Sequence, residues 1–352
     1  MNVVSFFTGA GGLDLGFMQA GFDVKMCVER EAVFCETLRH NHPEIPIIHA
    51  DIMDLTVERI WEETQEKTFD VFIGGSPCQS FSTMGKKRGF LDERGLAMLK
   101  YASLIEEAKP KMFVIENVLG FAQSIVDEMP ESDASFVRKI APEAFPMSAI
   151  DFLGQHVPHY HLRHEVVNSA SYGVPQKRLR IILVGTRKDV AAEGFALPQV
   201  SPKKEIPVRE ILERLQHVSH EHANYSPKTE RWMRLIPEGG GNWRDLPSEM
   251  QQEAMGGAYL SGGGRTGFFR RIRADRPSPT LLTSPVQKST LLGHPFEHRP
   301  LSVQEYQAIQ TFPDEYVVKG TLAQRYTQLG NAVPVRMAQE IAGHLAAYLK
   351  DL

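Results

Sequence analysis

The first half of the chain alternates short apolar runs with helical stretches, and this alternation restricts the fold more than any other feature. Val3–Phe7 predicts a strand, Gly9–Gly12 a tight turn, Leu13–Ala20 the start of a helix and Val24–Glu29 a second strand. Glu31–His40 and Leu96–Ala108 read as helices, and Ile47–Asp51, Val71–Ile73 and Met112–Glu116 as further strands. A strand followed by a helix returns the chain parallel to itself, so the pattern predicts an α/β fold with a mostly parallel, doubly wound sheet. His164–Asn168 and Arg180–Val184, linked across Tyr172-Gly173-Val174-Pro175, read as a hairpin-like pair.

The pattern weakens after about Arg187. Pro, Gly and His become frequent, and Gly239-Gly240-Gly241 and Gly262-Gly263-Gly264 mark loops. Regular structure returns near the end. Ser302–Thr311 reads as a helix with Glu305 three residues after Ser302, the spacing of a capping box, and Val335–Leu349 as an amphipathic helix. The sequence therefore predicts a large domain, 1–186 completed by 300–352, and a smaller irregular one, 187–299. A chain of 352 residues has ample core for both.

Composition excludes several classes. No apolar run approaches the ~20 residues that cross a bilayer. The N-terminus has no basic segment of a signal peptide, and a cytoplasmic location is expected. Cys27, Cys35 and Cys78 form no CxxC pair, so neither a disulfide framework nor a zinc site is expected, and no metal at all. The net charge of −4 does not itself point to nucleic acid, but a global figure can hide a local basic face.

Gly9-Ala10-Gly11-Gly12 lies between a strand and a helix, where glycines let the backbone approach a ligand. The spacing, with Asp14 where a third glycine would stand, does not meet the dinucleotide fingerprint, so a nicotinamide-linked oxidoreductase is not expected. Glu29 ends the second strand about 20 residues on, the place of an acid that accepts from ribose hydroxyls. Asp51 ends the third, where a carboxylate could take the exocyclic amine of an adenine. Two acids on consecutive strand ends beside a glycine turn favour an adenosine-containing ligand.

Gly74-Gly75-Ser76-Pro77-Cys78-Gln79-Ser80-Phe81-Ser82 follows another strand and puts a cysteine, stiffened by Pro77, at a sheet edge. Cys78 is either a small buried hydrophobe or a nucleophile, and a nucleophilic thiol needs nearby positive charge or an acceptor. Glu116 ends the next strand at the same edge. In Gln176-Lys177-Arg178-Leu179-Arg180, strand alternation puts Arg178 and Arg180 on one face.

With these residues in order, the sequence resembles the DNA (cytosine-5)-methyltransferase family over nearly its whole length. The motifs are Phe7-Thr8-Gly9-Ala10-Gly11-Gly12, Glu29, Asp51, Gly75-Ser76-Pro77-Cys78-Gln79, Glu116-Asn117-Val118, Gln176-Lys177-Arg178-Leu179-Arg180 and Gly330-Asn331-Ala332-Val333-Pro334. Arg273 to Pro285 is similar to the family's link between its target and catalytic domains.

The resemblance implies a Rossmann-like S-adenosylmethionine-dependent methyltransferase sheet with a smaller target-recognition domain, leaving S-adenosylhomocysteine as product. It implies Cys78 as the nucleophile at cytosine C6, held by Pro77. Glu116 is implied at the N3 and N4 edge of the base, and Arg180 at its carbonyl with Arg178 in support. Phe7, Gly9, Gly11, Gly12, Glu29, Asp51, Asn331 and Val333 are implied at the cofactor. The target base is unreachable inside a duplex and has to be flipped out. The stretch from Ser82 to Gly95, with Lys86, Arg88 and Arg94, suits a loop closing over it.

In the smaller domain Arg265, Arg270, Arg271 and Arg273 cluster around Phe268-Phe269 and are expected to meet DNA. A compact chain of this kind looks like a bacterial or phage monomer acting on double-stranded DNA. It would be the modifying half of a restriction–modification pair, with a cognate endonuclease acting independently. The alternatives are a tRNA (cytosine-5)-methyltransferase and a catalytically inactive DNA-binding relative.

Overall fold

The strand β1 (Asn2–Phe6) lies at the centre of a seven-stranded sheet, with β2 (Asp23–Glu29) and β3 (Ile47–His49) to one side. On the other side follow β4 (Val71–Gly75) and β5 (Met112–Val118). All four contacts among these strands are parallel. The computed structural model describes the chain except residues 76–89, 91–92, 131, 133, 201–202 and 263–264, and describes 93 and 94 by backbone alone.

Connections between the parallel strands run through α1 (Gly12–Gln19), α2 (Ala32–Asn41), α3 (Val57–Thr64) and α4 (Glu93–Ala108). After β5 come α5 (Leu119–Ala122), the short antiparallel pair β6 (Ile125–Val126) and β7 (Met147–Ser148), and α6 (Ala149–His156). Next comes β8 (Tyr160–Asn168), at the sheet's edge. The two-residue β9 (Gln176–Lys177) precedes β10 (Leu179–Arg187), which pairs antiparallel with both β5 and β8. The sheet order is β3-β2-β1-β4-β5-β10-β8. The predicted mostly parallel α/β sheet and its closing antiparallel pair are therefore present.

Both faces of the sheet are covered, which is why its strands are nearly continuous apolar runs. Val4, Phe6, Met26, Val28, Phe72, Phe113, Ile115 and Ile181 share one core with residues of α3, α4 and α6. The alternate residues Val3, Ser5, Cys27 and Ile73 are buried as well. The thiol of Cys27 reaches Asp14 on α1. A Cβ at Gly16 of α1 would lie 2.4 Å from that of Ala338, so only glycine allows the C-terminal helix, Val335–Lys350, this close.

Packing divides the chain into two units. The first contains Met1–Asn168, Leu179–Ser201 and Val335–Leu352, and the second Ser169–Arg178 and Pro202–Pro334. These limits differ from those drawn on composition: 169–178 packs with the second unit although the strands on either side belong to the sheet, and the C-terminal return starts at Val335. The second unit is less irregular than expected. It holds α7 (Val208–Leu215), α8 (Pro227–Met233), α9 (Ser248–Met255), β11 (Ser278–Pro279), α10 (Val303–Ile309) and α11 (Leu322–Asn331). Ser302 and Glu305 form the expected capping box on α10. The helices missed by inspection are short and mostly begin after Pro, Ser or Thr, so few residues carry their periodicity.

Candidate active site

In the first unit the order of strands reverses at β1, between β2 and β4. Ligands of doubly wound sheets bind beyond the carboxyl ends of the strands at such a point. There β1 ends at Phe6, and Phe7 turns the chain with φ 54°, a conformation few non-glycine residues adopt. Gly9 and Gly11 follow at φ 61° and 79°, and Gly11 caps α1. Residues with a Cβ are disfavoured at these angles.

Glu29, at the end of β2, ties this turn down. One carboxylate oxygen accepts from the Gly9 N–H at 2.8 Å and the other from the Glu31 N–H at 2.8 Å. Burial raises its carboxyl above the ordinary range, and the two backbone N–H groups oppose that rise. Asp51 stands two residues beyond β3. One of its oxygens accepts from the Met53 N–H at 3.0 Å, capping a short turn, and the other lies 3.7 Å from Arg30. Phe7 meets Tyr101 edge-on, with ring centroids 5.9 Å apart.

Inspection of the sequence passed over what lies behind the turn. Asp14, in the first turn of α1, is buried, accepts a weak hydrogen bond from the Cys27 thiol at 3.4 Å and has a second oxygen with no partner among the described residues. Burial pushes its carboxyl up to about 6. Ser5 and Thr8, whose hydroxyls are 3.1 Å apart, complete this polar pocket. An acid in a first helical turn is common at the surface, so sequence offers no sign of its burial.

At the neighbouring strand ends, Glu116 on β5 and Arg180 at the start of β10 form an ion pair of 2.8 Å. Because β10 runs antiparallel to β5, its first residues lie beside the last residues of β5, with Arg180 opposite Val118. Both side chains are largely buried. A Cβ at Gly75 would lie 3.5 Å from the other oxygen of Glu116, so the carboxylate sits at the end of β4. Cys78 follows three residues later. Pro77, Cys78, Ser82, Lys86 and Arg88 lie outside the described residues, as does the side chain of Arg94.

Arg178 does not share a face with Arg180. It falls between β9 and β10, where the chain leaves the second unit for the sheet. Its guanidinium donates to the carbonyls of Leu281, Gly330 and Asn331 at 3.0–3.3 Å. Gln176 accepts from the Leu281 N–H at 2.9 Å and donates to Gln310 at 2.8 Å, and Gln310 donates to the carbonyls of Leu329 and Ala332. The backbone of 329–332, which presents Asn331 and leads into Val333, is thus held by buried side chains from far along the chain. At Gly330 a Cβ would come within 2.4 Å of the Leu282 carbonyl oxygen.

The sequence profile of the C-5 cytosine-specific DNA methylases matches residues 1–347. The chain belongs to that family. Among its relatives, the type II methyltransferase M.Sau96I of Staphylococcus aureus is 37% identical over 353 residues, covering 99% of this chain and 76% of the relative. The type II methyltransferase M.PspPI of a Psychrobacter species is 38% identical over 346 residues, covering 97% and 77%. The fold is similar to that of a DNA modification methyltransferase encoded within an E. coli prophage, with TM-score 0.66, 24% identity and 99% of each chain covered. An Entamoeba histolytica methyltransferase gives 0.64 at 15% identity, covering 99% of this chain and 98% of the other.

The arginine cluster of this methylase is not the uniform basic face expected from sequence. Arg271 is 1% exposed. It donates to the carbonyls of Met233, Ile236, His294 and Glu297 and contacts His298 Nδ1, so it organises the interior of its unit and cannot meet DNA. Arg270 donates to the Leu291 carbonyl, and burial lowers its pKa. Arg265 donates to the carbonyls of Ala258 and Tyr259 and lies over the Trp243 ring. Only Arg273 is exposed, and Asp275 takes two of its N–H groups at 2.9 and 2.6 Å. Among the described residues no group of three or more His, Cys, Asp or Glu could hold a metal ion, and no helix is long and apolar enough to cross a membrane.

Proposed function

We propose that this methylase transfers a methyl group from S-adenosylmethionine to C5 of a cytosine flipped out of a short specific sequence in duplex DNA. The observation that carries this is the buried Glu116–Arg180 pair at the end of β4, three residues before Cys78. A carboxylate and a guanidinium held together at this sheet edge offer a pyrimidine an acid and a donor side by side.

The glycine turn fits the methyl donor: its backbone is left-handed at Gly9 and Gly11, no side chain at Gly9, Gly11 or Gly12 blocks a close approach, and Glu29 closes one flank. Phe7 would lie against the adenine, Glu29 on the ribose and Asp51 at the adenine amine. Asn331 and Val333, whose backbone Gln310 and Arg178 brace, are the cofactor residues proposed from the second unit. When bound, S-adenosylmethionine supplies a methyl group on a positively charged sulfur.

Cytosine C5 is a poor nucleophile, and the chain's residues correct this. The Cys78 thiolate, held by Pro77, forms a bond to C6, and the ring's electron pair moves toward C5 and N3. Glu116 supplies a proton at N3 as negative charge arises there, and Arg180 donates to the base carbonyl. Once C5 carries the methyl group, its proton passes to water as the C6–S bond breaks and Cys78 departs as thiolate, and N3 returns its proton to Glu116. Arg178 acts at a distance from the base, through the backbone of 330–331.

The second unit is proposed to read the DNA, with Arg273 toward phosphate, and the stretch bearing Ser82, Lys86 and Arg88 to act over the flipped base; Arg94, expected on the same loop, lies instead in the first turn of α4. The names of the bacterial relatives, type II methyltransferases, support a place in a restriction–modification system of the bacterial cytosol, opposite an endonuclease of the same specificity. Bisulfite sequencing of plasmid DNA from a methylation-free host expressing the chain tests the reading. Methylated cytosines in one short recurring motif are expected. Folded, cofactor-binding protein that leaves plasmid DNA unmethylated would overturn it.

A further inference from the structure

Among the described residues of the first unit the buried acids are Asp14, Glu29 and Glu116, and only Asp14 has no task in the reaction proposed above. It stands in the first turn of α1, just past the glycine turn, at the helix end where free backbone N–H groups make the field positive. Its side chain is 1% exposed. One oxygen accepts from the Cys27 thiol at 3.4 Å, and the other has no partner among the described residues.

The groups that face this carboxyl offer it no opposite charge. From β1 and the turn come the hydroxyls of Ser5 and Thr8, 3.1 Å apart. From β2 come the Cys27 thiol, with Cys35 of α2 behind it, and Glu29, a second acid whose charge repels that of Asp14. The C-terminal helix meets α1 at Gly16 through Ala338 and Gln339, neither of them titratable.

A second observation comes from the turn itself. Glu29 holds it by accepting from the Gly9 N–H at 2.8 Å, so two acids stand beside a stretch, residues 7–13, that contains no Lys or Arg. A buried carboxylate without a cation is costly, and the cost falls when positive charge is brought near. A positively charged ligand held at the turn would supply it. The methyl donor carries such a charge on its sulfur, and the product left after transfer does not.

We propose that Asp14 is the residue by which this methylase tells its charged methyl donor from the neutral-sulfur product: its buried carboxylate attracts the sulfonium at the glycine turn, and the attraction ends when the methyl group has gone. The proposal rests on the reading of the turn as the S-adenosylmethionine site. It makes Asp14 a specificity residue that acts through charge, without contact with the reacting atoms. Donor binding then favours the ionised carboxyl, and the proton it gives up passes to the buffer.

The test is isothermal titration of the full chain with S-adenosylmethionine and S-adenosylhomocysteine. The two differ only in the methyl group on sulfur and its charge, so groups at the adenine act on both alike. The ratio of donor to product affinity is expected to rise about threefold between about pH 5 and about pH 7, as Asp14 ionises. Near about pH 6 donor binding should release about a third of a proton more than product binding does, read from the heats in buffers of different ionisation enthalpy. In Asp14→Asn the ratio should stay level. Cys27→Ala removes a hydrogen bond that favours the ionised carboxyl and should move the rise to higher pH. A level ratio in the wild type, or a rise left in place by Cys27→Ala, would overturn the proposal. So would a rise that persists in Asp14→Asn, which would assign the effect to Glu29. A folded chain that binds neither probe is a separate failure, that of the cofactor reading.

Discussion

The buried carboxyl of Asp14 should make stability fall as pH rises through the weakly acidic range. Its pKa is held at about 6 against an ordinary value of 3.8, because burial disfavours the charged form more than the Ser5 hydroxyl, its own backbone N–H and the Cys27 thiol stabilise it. The folded state therefore binds this proton more tightly than the unfolded chain does. The resulting stabilisation is complete below pH 3.8 and is lost as pH rises through about 6. A shift of this size corresponds to about 3 kcal/mol in all, of which about 2 kcal/mol is lost between about pH 4.5 and about pH 8. Asp14→Asn removes the titration but keeps an oxygen for the thiol. In urea unfolding at those two pH values, the stability of Asp14→Asn relative to wild type should rise by about 2 kcal/mol at the higher pH. Titrating groups that do not interact with Asp14 cancel in this comparison. A difference that stays the same at both pH values would refute the burial argument.

Three further outcomes follow from the site and its surroundings. Cys78→Ala should abolish methylation while isothermal titration still detects cofactor binding, whereas retained turnover would exclude the covalent step. Glu116→Gln should lower kcat by about two orders of magnitude or more with DNA affinity little changed, because proton transfer to N3 is lost while the shape of the site is kept. Arg271→Ala should destabilise the protein by about 3–5 kcal/mol, since it strands four buried carbonyls, and Arg273→Ala by no more than about 0.5 kcal/mol. Equal melting temperatures for these two variants would contradict the opposite placements of the two side chains.

Much of the sheet was legible because its signals are local. Each parallel strand, buried on both faces, is an apolar run, and Gly9 and Gly11 mark the turn because few other residues adopt their φ angles. Ends were less legible. Phe7 leaves β1 rather than extending it, and Asp51 stands beyond β3 as the cap of a short turn. Gln310 escaped notice altogether. A glutamine at the end of a helix carries no sign that its amide reaches two carbonyls about 20 residues away.

The sequence by itself determined the α/β class, the glycine turn, and the presence of Glu29 and Glu116 at strand ends. Periodicity and backbone preference act over a few residues and are written in them directly. Only the tertiary structure decided what each charged side chain does. Arg178 and Arg180 are two residues apart, yet one holds the carbonyls of Gly330 and Asn331 and the other pairs with Glu116. Arg271 and Arg273 are likewise two apart, one sealed among backbone carbonyls and the other in solvent beside Asp275. Asp14 reads as an ordinary helix-start acid until the chain closes over it. The reason is common to all five: the energy of a charge depends on the water it loses and the partners it gains, and those partners come from distant parts of the chain.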